Sequence, residues 1–259
     1  MYWPNGQKIL NAARYVAETK GLNAVYLSNF RCGPDSFLLH YVTEELKGKP
    51  FLHLEIDEHS ADAGMITRIE AFLDSLEGAE SKEKNTDSVF RPRPGNPSPD
   101  RKRVLYFPYM NDCAYMIAAA ARSVGIQSEV LPVQTEEDIS LGRKYTSSRE
   151  CFPMICTTGS FLRKLMEPGA DPAQISFFMP DHNGPCRFGQ YNQFQRILFD
   201  RLGFRDAELV TPSNDTSYQD IAGEHGQRFR INAWKGFVAA DFLRKIYRET
   251  RPYEINKGE

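Results

Sequence analysis

The sequence predicts α/β layers with mostly parallel sheets. Short apolar runs of strand length alternate with longer runs whose apolar residues recur at helical spacing. The alternation begins again after a charged interruption rich in Pro and Gly. The 259 residues suffice for two domains of roughly 100–200 residues each.

The elements follow in order. AVYLSNF, Ala24 to Phe30, reads as a first strand, and FLLHYVTEEL follows as a helix. Pro34 suits that helix's first turn, where a missing N–H costs nothing, and Asp35 complements the helix dipole. FLHLEI, Phe51 to Ile56, is a second strand. A polar loop from Asp57 to Gly64 leads to Met65, Ile66, Ile69, Phe72, Leu73 and Leu76, which repeat at helical spacing. From Glu77 to Lys102 the composition of a flexible linker takes over. The expected organisation is a first α/β domain over 1–78, complete or partial, a linker over 79–102, and a second α/β domain with C-terminal helices over 103–259.

In the second half, VLYFPY (Val104 to Tyr109) is a strand, and a helix over Asp112 to Val124 ends at Gly125. SEVLPV is a strand, and Glu136 to Lys144 and Pro153 to Leu165 are helices. ISFFMP (Ile175 to Pro180) is a buried strand, and Arg187 to Leu202 a helix with Phe188, Tyr191, Phe194 and Leu198 along one side. AELVT (Ala207 to Thr211) is the last strand before two helical stretches, the second being AWKGFVAADFLRKIYRE.

Composition narrows the function. A formal net charge of −2 supplies no basic surface, so no nucleic-acid partner is expected. No apolar run approaches the ~20 residues of a membrane helix, and MYWPNGQKIL lacks the apolar core of a signal peptide. No membrane partner and a cytoplasmic location are therefore expected. In that compartment five cysteines, an odd number with no CxxC among them, argue against disulfides and a compact zinc knuckle.

Cys32, Cys151 and Cys186 share a setting. Each just precedes a predicted helix and has a proline nearby, Pro34, Pro153 and Pro185. Cys32 and Cys186 also follow predicted strands closely, a position that falls on the carboxyl edge of a parallel sheet, where ligand sites form. Unpaired N–H groups and the dipole at a helix start favour a thiolate, the form that binds metal. Three such thiolates could grip three irons of a 4Fe–4S cube, leaving the fourth to water, substrate or another side chain. Zinc held by Cys₃ and one of His40, His53, His59 or His182 is the rival, and ordinary burial of each thiol is the third reading. Cys113 and Cys156 read as packing residues, with Cys156 a reserve ligand.

These residues carry a resemblance. YLSNFRCGPDSFLLHY, EIDEHSADAGMITRIEAFLDS, GRKYTSSRECFPMICTTGSFL and FFMPDHNGPCRFGQYNQFQRILFDRLGF resemble the 2-hydroxyacyl-CoA dehydratase-like iron–sulfur proteins. The likeness is greatest to the region of that kind in the large CoA-substrate-specific enzyme activases. It covers nearly the whole chain outside the linker.

The resemblance implies flavodoxin-like three-layer domains and a 4Fe–4S cluster whose cysteines fall on Cys32, Cys151 and Cys186. It implies anaerobic electron transfer, with an ATP-dependent activase module or subunit as partner and a CoA thioester or another hard-to-reduce compound as substrate. The chain would then be part of a dehydratase-type lyase or an ATP-dependent reductase, and a dimer is a further expectation. The expected cofactor-binding residues are Gly33, Pro34, Gly184, Pro185, Arg187, Gln190 and Tyr191. Arg187 would balance cluster charge, and a capped helix start with a surface arginine is the plainer reading.

The chain also departs from the pattern. Met154 stands where relatives often carry another cysteine, Cys113 where they often carry histidine, and no Gly-rich phosphate loop is present. The alternative function is a zinc-bearing or metal-free α/β docking scaffold within a larger activase protein. Asp57, His59 and Asp62 read as solvated turn residues before acid–base groups, and Ser147 and Ser148 as capping residues before nucleophiles.

Overall fold

The computed structural model describes residues 3–29, 33–58, 61–77, 99–147, 149–213, 215 and 218–258. Among the described residues the protein is α/β with two parallel sheets. The expected linker lies mostly outside the described residues, as do Cys32, His59 and Ser148. The chain forms two compact units. The first comprises Met1–Arg93 with two later segments, Ser147–Cys151 and Gly184–Gln190; the second comprises Pro94–Thr146, Phe152–Asn183 and Tyr191–Glu259. Two short pieces of the half expected to form the second domain thus belong to the first unit.

The first unit contains helix α1 (Pro4–Glu18), strand β1 (Ala24–Ser28), helix α2 (Asp35–Glu45), strand β2 (Phe51–Glu55) and helix α3 (Asp62–Glu77). Helix α1 has no counterpart among the expected elements. Pro4 opens it at a position where no N–H is needed, and Arg14 ties it to Glu45 of α2 at 2.6 Å. The strands pair in parallel, Ala24 beside Phe51 through Ser28 beside Glu55, with α2 as the crossover. Phe37, Leu38, Tyr41 and Val42 of α2 are buried, so this helix carries much of the unit's core. Alternate residues of β1 divide sharply: Tyr26 and Ser28 are buried, while Val25 and Leu27 face solvent.

The second unit has strands β3 (Val104–Phe107), β4 (Ser128–Val130), β5 (Ile175–Phe178) and β6 (Glu208–Val210) in the order β4-β3-β5-β6, all parallel. Its helices are α4 (Cys113–Arg122), α5 (Glu136–Tyr145), α6 (Phe152–Leu165), α7 (Tyr191–Arg201) and α8 (Gly226–Thr250). Successive side chains of β5 show how the sheet is covered on both faces. Phe177 stacks on Phe161 of α6 at 4.3 Å and meets Phe199 of α7 at 5.7 Å. Phe178 lies 4.7 Å from Phe107, against a cluster containing Ala118 and Ala121 of α4 and Phe229 and Ala233 of α8.

Thr135 starts α5 through a reciprocal cap with Asp138, and the Asp138 carboxylate pairs with Arg163 of α6 at 2.8 Å. The helix expected over Arg187 to Leu202 is in fact a 3-10 turn, Arg187–Gln190, followed by α7. The break coincides with the boundary between the units.

Candidate functional site

The first unit gathers the segments that carry the three candidate ligands. Cys151 and Cys186 lie in the two pieces it draws from later sequence, and the turn that follows Cys32 begins at Gly33. As the sequence suggested, Cys151 immediately precedes α6, and Cys186 immediately precedes the 3-10 turn. Cys186 is exposed and Cys151 half-buried.

The turn at Gly33 comes first in the chain. Gly33 takes a φ of +56°, the left-handed region that a side chain would disfavour. Its carbonyl accepts a 2.8 Å hydrogen bond from the Ser36 hydroxyl. The Pro34 carbonyl receives the amides of Phe37 and Leu38 and so starts α2. Next to this turn, the Tyr26 hydroxyl donates to Asp35 at 2.8 Å; burial, with this bond added, drives the phenol's pKa well up.

The segment at Cys151 is fastened through its neighbours. The Glu150 side chain is fully buried and stands 2.6 Å from Nε2 of His40 in α2. The Ser147 amide and hydroxyl and the Arg149 amide donate to the same carboxylate. Burial alone would push this carboxyl up; the hydrogen bond from His40, the backbone amides and the His40 charge outweigh it and bring it down to about 2. Arg149 faces Glu55 at the end of β2, 3.3 Å away. Ser147, expected as a capping residue, instead donates to the Glu150 carboxylate ahead of α6, which begins at Phe152, and Glu150 is an anchor that sequence reasoning missed. Its spacing from Ser147, three residues as in a capping box, was the signal.

The segment at Cys186 is fastened from both ends. Its Pro185 carbonyl accepts Nε1–H of Trp3 at 3.3 Å. The Tyr41 hydroxyl, buried in α2, donates to the Gln190 carbonyl and side-chain oxygen at 3.2 and 3.3 Å. Gly184 and Gln190 are buried, and Tyr191 is buried as the first residue of α7 in the second unit. Between the ends, Nη1 of Arg187 donates to the Ser36 hydroxyl at 2.9 Å and to the Arg149 carbonyl at 3.3 Å. Arg187 is thus bound to both other cysteine-bearing segments.

The remaining expectations resolve individually. Met154 is fully buried. Cys156 is half-buried, and burial pushes its thiol pKa up, which disfavours a metal-binding thiolate. Cys113 begins α4 with its sulfur 3.9 Å from Arg244, whose guanidinium also pairs with Asp112 at 3.2 Å. Of the rival histidines, His40 is held by Glu150, and Nε2 of His53 lies 2.7 Å from the Ser28 hydroxyl. Asp62 is exposed in the first turn of α3.

Among the described residues, which do not include Cys32, no group of three or more His, Cys, Asp and Glu side chains is arranged to hold a metal ion. Among the described residues, no helix is long and apolar enough to cross a membrane. Comparison of the chain with protein-family models, curated proteins and solved structures gives no match.

Proposed function

We propose that the chain is an iron–sulfur protein in which Cys32, Cys151 and Cys186 hold a 4Fe–4S cluster. The observation that carries this reading is the inclusion of Ser147–Cys151 and Gly184–Gln190 in the first unit, beside the turn that follows Cys32. The donor set fits: soft sulfur ligands suit an iron–sulfur centre, and of the two described residues Cys186 is exposed and Cys151 half-buried. Bound there, the cluster would supply one-electron transfer at low potential. The chain's own residues hold the ligand segments in place, through the Arg187 bonds, the Glu150–His40 pair and the Trp3 bond to Pro185.

The strand order supports the flavodoxin-like part of the reading. Counted within the second unit, β4-β3-β5-β6 is the order two-one-three-four with which a flavodoxin-like sheet begins. We assign the protein to the cytoplasm, as the electron-accepting component that works with an ATP-dependent activase on a CoA thioester or another hard-to-reduce substrate.

Anaerobic iron and sulfide analysis of the wild type beside Cys32→Ala, Cys151→Ala and Cys186→Ala tests this. About four irons per wild-type chain, lost in each variant, is the expected result. Unchanged iron in all three variants overturns the ligand assignment. Zinc in place of iron would favour the Cys₃His alternative, with His40 the first histidine to substitute because it is bonded to the residue preceding Cys151.

A further inference from the structure

We propose that Arg187 is a clasp that assembles the ligand segments before any metal arrives. One guanidinium nitrogen donates to the Ser36 hydroxyl and to the Arg149 carbonyl. Ser36, 2 % exposed, passes the connection on by donating to the Gly33 carbonyl, next to Cys32. Arg187 itself directly follows Cys186. The chain of bonds Arg149 carbonyl, Arg187, Ser36, Gly33 therefore touches the neighbour, or next neighbour, of each candidate ligand, and every member is a protein group.

The chemistry selects arginine. Its planar fork can serve acceptors in two directions while staying charged, whereas a lysine ammonium is a point charge on a flexible stem. The Arg149 carbonyl lies two residues from Cys151. Losing the donor thus frees the loop that presents Cys151, while the Glu150–His40 anchor still tethers it. The expected defect is local: greater opening of Ser147–Cys151 and Gly184–Gln190 with the second unit unaffected. Arg187 is accordingly a positioning residue, acting on metal uptake through the segments it joins. Its purpose rests on the cluster reading above, but the bond network exists without a metal.

The test uses the full-length, metal-free chain. Thiol labelling, resolved by peptide mass spectrometry, is followed at Cys151, with Cys113 and Cys156 of the second unit as internal controls. Arg187→Gln should raise the Cys151 rate about tenfold with the controls unchanged. Ser36→Ala should give a smaller rise, and Arg187→Lys should restore only part of the protection. If Arg187→Gln speeds the controls as well, the variant has loosened globally and Ser36→Ala decides: a selective rise at Cys151 supports the clasp, and none overturns it. A Cys151 rate unchanged in both Arg187→Gln and Ser36→Ala also overturns it. Iron and sulfide reconstitution of the wild type is run in parallel. Absence of iron there sinks the cluster reading, while the clasp still stands or falls on the labelling rates alone. Where the wild type loads, Arg187→Gln should load about tenfold more slowly; an equal rate removes the role in metal uptake.

Discussion

Glu150 ties the most interactions into the smallest space. Its carboxylate is held ionised down to about 2 by His40 and by amides of its own loop, against the opposing effect of burial. The sign of the consequence follows from linkage. The folded value lies below the ordinary carboxyl value of 4.5, so the stabilisation is complete above that value and disappears as pH falls toward 2. For the metal-free chain it amounts to about 3 kcal/mol at most. Urea unfolding should therefore show Glu150→Gln less stable than the wild type at neutral pH, with the gap closing on acidification. A gap that stays constant across that range would assign the destabilisation to packing alone. The residue itself was not legible as an anchor, because its partner His40 is remote in sequence and only folding brings the two together. The nearby cysteines are marked in the sequence only by the local settings they share.

At the scale of elements, the tightest junction is between α5 and α6. A Cβ at Gly159 would overlap the Asp138 carbonyl, and one at Gly142 would stand 3.0 Å from the carbonyl carbon of Ile155. Both obstacles are backbone, which cannot move aside as a side-chain tip can. Gly159→Ala should therefore destabilise the protein by about 1–3 kcal/mol despite the better helix propensity of alanine. Thermal unfolding checks this, and a variant as stable as the wild type would mean that the helices can separate freely. Most elements were legible from apolar spacing; α5 starts at the expected Glu136, where Thr135 and Asp138 form its cap, and ends one residue beyond the expected Lys144. The missed α1 carried a signal too, Pro4 at its first position followed by Ile9, Leu10, Ala13 and Val16. The break before Tyr191 carried none: periodicity continues across it, while Gln190 and Tyr191 belong to different units.

Two features belong to the scale of the whole molecule. The chain alternates between its units, which no boundary drawn from composition could anticipate, because membership depends on partners such as Trp3, His40 and Tyr41. Helix α8, 25 residues long, buries Phe229, Ala233 and Ala240 along one side, yet Trp234, Val238 and Phe242 on the opposite side are 68 %, 56 % and 62 % exposed. For the isolated chain, Trp234 should emit at long wavelength and be strongly quenched by acrylamide. A blue-shifted, protected Trp234 in dilute solution would show that this side is covered there.

The chain has two tryptophans, and the other, Trp3, is 8 % exposed with its indole N–H bonded beside Cys186. Once Trp234 is replaced by phenylalanine, a single lamp is left beside the sulfur. Its brightness and colour should follow the arrival of an inorganic guest, or the loosening of that strip of backbone, in real time and without any added dye.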